Sequence, residues 1–206
     1  MFEVNRRLYP DGILPARETN PDFWVRFCVW ADDNEFSTPE YLLPQIVRQT
    51  NIAPFRFEQR HRNQAVPTQD QVAALGPWDY QIEWANAATK GIRPEADWHV
   101  HRYRSSLLVD LAADIAGAAR TQMSVLDVES HCGILALEFG EVGFGEVKGL
   151  DLREANIRQA RFVQSTFDCP RVSFDVLNAR NLSGHAADVV FCGGLLYHVT
   201  FPVELL

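Results

Sequence analysis

The chain has 206 residues, of which 47% are hydrophobic and 22% charged, and its formal net charge at pH 7 is −8. This composition fits a globular protein of one domain, or of one domain with a sizeable extension, and argues against disorder. The acidic balance disfavours a broad nucleic-acid-binding surface, and the sequence shows neither an apolar stretch of membrane-spanning length nor a signal-peptide core. The four cysteines are scattered without a CxxC pair, which predicts a reducing, cytoplasmic location without structural disulfides or a zinc site.

Residues 1–95 are predicted to form an N-terminal α+β extension of unknown role. The aromatic and β-branched run Phe23–Trp30 predicts a strand, and Ser37, followed by threonine, proline and glutamate, predicts the start of a helix. The alternating run Trp78–Trp84 predicts a half-buried strand, and residues 86–94 are expected to form a loop.

Strands and helices alternate from residue 96 to residue 206. An apolar stripe within 103–119 predicts an amphipathic helix that leads into the first strand. Strands alternating with short helices are typical of a Rossmann-like, doubly wound parallel sheet covered on both faces, so the predicted fold class is α/β. Strands are predicted at approximately 124–128, 146–151, 171–176 and 188–192, and helical segments at roughly 133–139, 154–167 and 179–184.

The most informative stretch is VLDVESHCG, which ends at Gly133, together with the acid of GLDLRE at Asp151. An apolar run ending in an acid, a turn closed by glycine, and a second apolar run ending in an acid predict a β-turn-α-β unit. Such units build nucleotide pockets at the carboxyl ends of parallel strands. Where these loops usually carry three glycines, this loop has Glu129, His131 and Gly133.

Four segments carry a family resemblance: VLDVESHCG, GLDLREANIRQARF, VSFDVLNARNL and DVVFCGGLLYHVTFPVELL. In order and spacing they resemble the motifs of the class I S-adenosylmethionine-dependent methyltransferases. The LLYH segment resembles the subgroup that includes tRNA wobble-uridine carboxymethyltransferases and many small-molecule methyltransferases. The resemblance implies S-adenosylmethionine as cofactor and a sheet of order 3-2-1-4-5-7-6. Only its first four strands are expected here, so the fold is predicted to be incomplete, with a partner or another segment covering strand four.

The resemblance implies roles for residues around the methionine and ribose ends of the cofactor. Asp127, which closes the first strand, would approach the methionine end. Glu129 would meet the amino group of the cofactor or stand beside its carboxylate. Gly133 would let the backbone pass close under the cofactor, because it has no Cβ. Asp151 would accept hydrogen bonds from both ribose hydroxyls.

The resemblance also implies an adenine end and a pocket floor. Asn178 would meet the exocyclic amine of adenine, and the amide of Ala179 a ring nitrogen. Asp175 is the competing candidate by residue type, although it lies earlier in the strand. Cys192 and Gly193 would line the floor of the pocket below the sulfonium.

Tyr197 and His198 are the candidate catalytic residues. The unperturbed pKa of histidine lies near neutrality, so His198 is a candidate general base. The alternative is that the Tyr-His pair only shapes the substrate side of the pocket. No metal site is predicted, because His99 and His101 have no cysteines or suitably spaced acid beside them.

The function that the resemblance implies is methyl transfer from S-adenosylmethionine to an unidentified acceptor, which is a small molecule, a sugar or RNA. The alternative is a non-catalytic scaffold that keeps the sheet for partner binding, and the altered glycine loop favours it. A third hypothesis is another nucleotide-binding α/β enzyme, such as a dehydrogenase, in which the LLYH segment would have no role.

Overall fold

A computed structural model describes residues 55–61, 66–92, 95–193 and 195. The chain divides into two compact units, one of Met1–Ala53 with Glu95–Val100 and one of Pro54–Pro94 with His101–Leu206. The sheet and the candidate site belong to the second unit. The predicted strand Phe23–Trp30 and the helix predicted from Ser37 lie outside the described residues. The domain boundary near residue 95 and the role of the extension stay predictions.

Four parallel strands form the sheet, in the order β3-β2-β1-β4. They are β1 (Ser124–Val128), β2 (Glu146–Asp151), β3 (Val172–Val176) and β4 (Val189–Cys192). This confirms the predicted α/β class, the strand order 3-2-1-4 and the strand bounds to within one residue. Parallel strands end at a common edge, and this arrangement brings the acids that close β1 and β2 to the same side of the molecule.

Five α-helices are described: α1 (Arg56–His61), α2 (Gln69–Ala74), α3 (Glu95–Ala116), α4 (Ile134–Glu141) and α5 (Glu154–Phe167). The predicted bounds of α5 are confirmed at both ends. The segment predicted at 179–184 is instead a short 3₁₀ helix, Ala179–Asn181, and Gly184 has a left-handed φ of 91° that is incompatible with a helix reaching it. No helix in the described part of the chain is long and apolar enough to cross a bilayer.

The core lies between the sheet and the helices that cover it. Helix α5 presents an apolar stripe at helical spacing, and the members of that stripe are fully buried: Ile157, Ala160, Val163 and Phe167. Helix α4 is buried from Ile134 to Phe139, because it contacts β1 and β2 as well as α1. Both helices therefore hold the strand ends in fixed positions.

The prediction of a strand over Trp78–Trp84 is wrong. This segment makes only isolated bridges, which join Trp78 to Gly91 and Glu83 to Ala88. The alternation of apolar and polar residues does predict burial correctly, since Trp78, Ile82 and Trp84 are all buried. Alternating burial arises here from side chains that pack individually, without the neighbouring ladder that defines a strand.

Residues 66–92 are attached to α5 by side-chain hydrogen bonds. The Gln159 Nε2 donates to the carbonyls of Leu75 and Pro77, at 2.8 Å each. The indole N–H of Trp84 donates to Thr166 Oγ1 at 2.8 Å. This attachment places Asp79 and Tyr80 close to the strand ends, where they reach the loop after β1.

Candidate functional site

The loop that joins β1 to α4 has a glycine-type backbone at three positions. Its φ angles are 66° at Glu129, 53° at His131 and 83° at Gly133. These are the three positions at which glycines were expected. A residue with a Cβ pays roughly 1–2 kcal/mol to adopt this left-handed conformation. The loop therefore keeps the backbone shape that glycines would allow, and adds two side chains to it.

The end of β2 holds the loop in this shape. The amide of Ser130 donates to the carbonyl of Leu150 at 2.7 Å, and the amide of His131 donates to Asp151 Oδ2 at 3.0 Å. The amide of Gly133 closes the turn on the carbonyl of Ser130 at 2.9 Å. These hydrogen bonds offset the strain of the left-handed residues.

His131 ties the loop to the segment that precedes the sheet. Its Nδ1 accepts a hydrogen bond from the amide of Cys132 at 2.8 Å, and its Nε2 lies 3.1 Å from Asp79 Oδ2. Because Nδ1 is an acceptor, the ring proton is assigned to Nε2 and points at the carboxylate. The ring also meets that of Tyr80 edge-on, with centroids 5.5 Å apart. The sequence did not single out Asp79 or Tyr80.

Gly133 is also required by packing between the sheet and α5. A Cβ at this position would lie 2.5 Å from Phe174 Cζ and 2.9 Å from Ala160 Cβ. Gly149, in the middle of β2, makes room for the same ring, since a Cβ added there would lie 2.5 Å from Phe174 Cδ1. A glycine inside a strand is the sequence signal that could have identified this close approach.

Replacing Gly133 with alanine is expected to lower the free energy of unfolding by about 2–4 kcal/mol, from left-handed strain together with overpacking against Phe174. Urea denaturation followed by circular dichroism measures the loss. Gly184→Ala is the matched control, because Gly184 has a φ of 91° and a Cβ added there would meet nothing within 4 Å. It should lose only about 1 kcal/mol, the strain alone. Equal losses in the two variants would contradict the packing argument.

The carboxylate of Asp151 is buried, with 3% of the residue exposed, and is nearly saturated with hydrogen bonds. Its Oδ2 accepts from the amide of His131 at 3.0 Å and from Asn156 Nδ2 at 3.0 Å, and its Oδ1 accepts from the amide of Arg153 at 2.7 Å. Each carboxylate oxygen offers about two acceptor sites. One site therefore remains, on Oδ1, which suits a single ribose hydroxyl. Accepting both hydroxyls would require one protein donor to move.

The carboxylate of Asp127 is also buried, with 2% of the residue exposed, but it is not saturated. The amide of Ala136 donates to it, whereas Oδ2 has no hydrogen-bond partner among the described residues. Burial raises the pKa of Asp127 to about 7, and the charge of Asp151 adds to the rise. An ionised carboxylate in this position is costly unless a cation or a donor from a ligand meets it.

A pocket opens beside Asp127 at the carboxyl ends of β1 and β4. It brings together three of the predicted site residues, Asp127, Glu129 and Gly193. Apolar and aromatic side chains complete its walls, among them Phe55, Tyr80, Leu108, Ile134, Leu135 and Phe191. Five predicted residues do not belong to the described lining of this pocket: Gly133, Asp151, Asn178, Ala179 and Cys192.

The predicted adenine contacts lie at the surface beyond β3. Asn178 is exposed, and its Oδ1 accepts from the amide of Arg180 at 3.0 Å, so it caps the 3₁₀ helix that begins at Ala179. Its amide group is not used in that cap. Asp175, the competing candidate, is paired with Lys148 at 2.8 Å and with Arg161 at 3.2 Å. The hydrogen bond from Lys148 lowers the pKa of Asp175.

An apolar surface beside Asp151 was missed from the sequence. Leu152 is 64% exposed and Val176 is 46% exposed. Val176 is the neighbour of Asp151 in the register of β2 and β3. Exposed aliphatic groups beside a strand-end acid suit the face of an aromatic ring. The signal was the position of Leu152 directly after that acid.

Cys192 closes β4 and pairs with Val128 in the register of the two strands. Burial raises the pKa of its thiol, and the charge of Glu129 raises it further. Tyr197 and His198 lie outside the described residues, so their catalytic role stays a prediction. Within the described ranges, no group of three or more His, Cys, Asp or Glu side chains could hold a metal ion.

Similar proteins were found by sequence and by structure, although no family model matches the chain. The ubiquinone biosynthesis O-methyltransferases of two strains of Neisseria meningitidis are each 29% identical over 101 residues, which is 48% of this chain and 40% of each relative. The N-terminal domain of EvdMO1, solved in the presence of SAH and D-fucose, superposes with a TM-score of 0.55 at 24% identity, over 66% of this chain and 56% of that one. EvdMO1 itself superposes with a TM-score of 0.52 at 26% identity, over 66% of this chain and 30% of that one.

The four-stranded parallel sheet with its pocket at the strand ends defines a Rossmann-like α/β protein of the kind that binds nucleotide cofactors. Within that class, the chain is similar to methyltransferases in sequence, and its fold is similar to that of EvdMO1. The match spans 40% of the length of the curated relatives.

Proposed function

We propose that this chain binds S-adenosylmethionine at the carboxyl ends of β1 and β2 and transfers its methyl group to an acceptor. The observation that carries the proposal is the Oδ2 of Asp127, which is buried beside the pocket and has no hydrogen-bond partner in the part of the chain that the structure describes. A buried acceptor without a partner costs stability, and such perturbed groups cluster at functional sites.

The described residues fit the cofactor at three points. Asp127 would accept from the ammonium group of the methionine end. Asp151 would accept from one ribose hydroxyl at Oδ1, its remaining acceptor site. Leu152 and Val176 would lie against the adenine ring, with the free amide group of Asn178 at its edge.

The bound cofactor supplies an electrophilic methyl group on a positively charged sulfur, so the protein contributes mainly positioning and the exclusion of water. The Asp79–His131 contact holds the loop that carries Glu129. The side chains of Ile134, Leu135 and Phe191 keep the pocket apolar on one side. The curated relatives are O-methyltransferases, which supports an oxygen nucleophile on a small molecule, a sugar or RNA. A cytoplasmic location stays a prediction.

Isothermal titration with S-adenosylhomocysteine tests the proposal. We expect saturable heat at submillimolar ligand, at a stoichiometry of one per chain. Folded protein that gives no heat with either S-adenosylhomocysteine or S-adenosylmethionine in this range would contradict it. Circular dichroism of the same sample establishes that the protein is folded.

A further inference from the structure

We infer that the pocket discriminates by charge, binding the cationic methyl donor more tightly than its neutral demethylated product, with Glu129 as the residue that sets this preference. The inference rests on the proposed function and concerns the same site.

Two carboxylates face the pocket. Asp127 and Glu129 both line it, and none of its described lining residues is lysine or arginine. Glu129 is half-buried, and its backbone is held at a φ of 66° by the closed loop. The backbone that carries its side chain is therefore held beside the pocket.

The positive groups nearby in the described structure are already engaged. His131 accepts a hydrogen bond at Nδ1 from the amide of Cys132 at 2.8 Å, and its Nε2 lies 3.1 Å from its own carboxylate partner, Asp79. The guanidinium of Arg102 lies 4.4 Å from the ring centroid of the pocket residue Phe55, but its Nη2 pairs with the buried Glu58 at 3.4 Å. Neither group cancels the charge of Asp127 and Glu129.

The charges of these two carboxylates also act on one thiol beside the loop. At Cys192, burial raises the pKa, and the charges of Glu129 and Asp127 raise it further.

The reaction changes the charge of the cofactor by one unit. The donor carries a carboxylate, an ammonium and a sulfonium, and its net charge is +1. In the transfer, the nucleophile's electron pair forms the new bond to carbon, the S–CH₃ bond electrons return to sulfur, and the nucleophile's proton leaves to water. The product is a neutral thioether zwitterion. Loss of the sulfonium charge removes its attraction to the two carboxylates, so the pocket favours donor entry and product release.

Calorimetric titration of the wild-type chain with donor and product, at pH 8 and low salt, tests the inference. We expect the donor to bind about tenfold more tightly than the product. An analogue of the product that carries an amine on the carbon replacing sulfur should also bind more tightly, because it restores the cation. In Glu129→Gln the donor-to-product ratio should fall to about twofold. In Glu146→Gln it should stay unchanged, because Glu146 is exposed at the opposite end of β2.

Two outcomes overturn the inference on their own. One is a wild-type chain that binds the product as tightly as the donor, and the other is a ratio that Glu129→Gln leaves unchanged. A wild-type chain that binds neither ligand overturns the proposed function as well. The comparison of donor, product and amine analogue uses the wild-type chain alone, so it tests the preference for the cationic ligand even where a variant fails to fold.

Discussion

Replacing Asp151 with alanine is expected to lower the affinity for S-adenosylmethionine by at least about 100-fold and to destabilise the protein by about 2–4 kcal/mol. The destabilisation follows from the amides of His131 and Arg153 and the side chain of Asn156, which lose their shared acceptor. Losing these hydrogen bonds releases the left-handed loop from the end of β2. Binding therefore falls through the lost ribose contact and through the released loop together.

Asp175→Ala is the matched control for this variant. Asp175 lies one position earlier in the register of the neighbouring strand, facing Leu150, but it is half-exposed and pairs with surface cations. Its removal should cost about 1 kcal/mol or less and change affinity less than about twofold. Urea denaturation and calorimetry measure both quantities. An Asp151→Ala variant with wild-type affinity would show that the cofactor binds elsewhere.

Replacing Asp127 with asparagine is expected to stabilise the free protein at pH 8 by about 1–3 kcal/mol, while weakening binding of the donor at least about tenfold. The substitution keeps the shape and the acceptor for the Ala136 amide, and removes the buried charge. A shift of the pKa from 3.8 to about 7 would correspond to about 4 kcal/mol, from which the cost of burying an unpaired amide is subtracted. Stability and function are thus opposed at this residue.

The difference in free energy of unfolding between Asp127→Asn and the wild type should increase with pH. The folded state raises the pKa of Asp127 above its ordinary value of 3.8, to about 7, so the folded state holds the proton more tightly than the unfolded one. The contribution of this residue to stability is fully present below about pH 4 and is lost as the pH rises through about 7. The variant should therefore match the wild type near pH 4 and exceed it at pH 8.

Glu58 and Glu138 are further buried carboxyls whose pKa burial raises to about 7, and they titrate in both proteins. The difference between the wild type and Asp127→Asn isolates Asp127 from them. Denaturation midpoints at pH 4, 6 and 8 measure this difference. A difference in denaturation midpoint that is constant from pH 4 to pH 8, or a variant less stable than the wild type at pH 8, would show that Asp127 Oδ2 has a partner in solution.

The sheet could be predicted from the sequence because its signals are local. Each strand is a short apolar run that ends at a polar or turn residue, and α5 repeats its buried positions at helical spacing. The acids at the ends of β1 and β2 could be located for the same reason. The capping box of α2, in which Thr68 and Gln71 bond each other's backbone, is a further local signal, and it could have predicted where that helix begins.

The remaining features depend on contacts between distant parts of the chain. Glu138 accepts from the amide of Arg56, 82 residues away, and Glu58 meets Arg102, 44 residues away. An acid in a helix is usually exposed, so no local pattern predicts its burial. Likewise, the contact of His131 with Asp79 depends on how residues 66–92 pack on α5. The alternation in Trp78–Trp84 misleads for the same reason, because a local pattern does not reveal whether a neighbouring strand completes a ladder.

In the left-handed loop after β1, the conformational entropy of ordering the site is lost during folding and not during ligand binding. Because Glu129, His131 and Gly133 take up their conformations within the folded chain, the backbone that meets a ligand is preorganised. A flexible loop would lose conformational entropy on each binding event, at about 1–2 kcal/mol for every residue that becomes fixed. Here that entropy is lost once, during folding, and each cofactor binds to a loop that is already ordered.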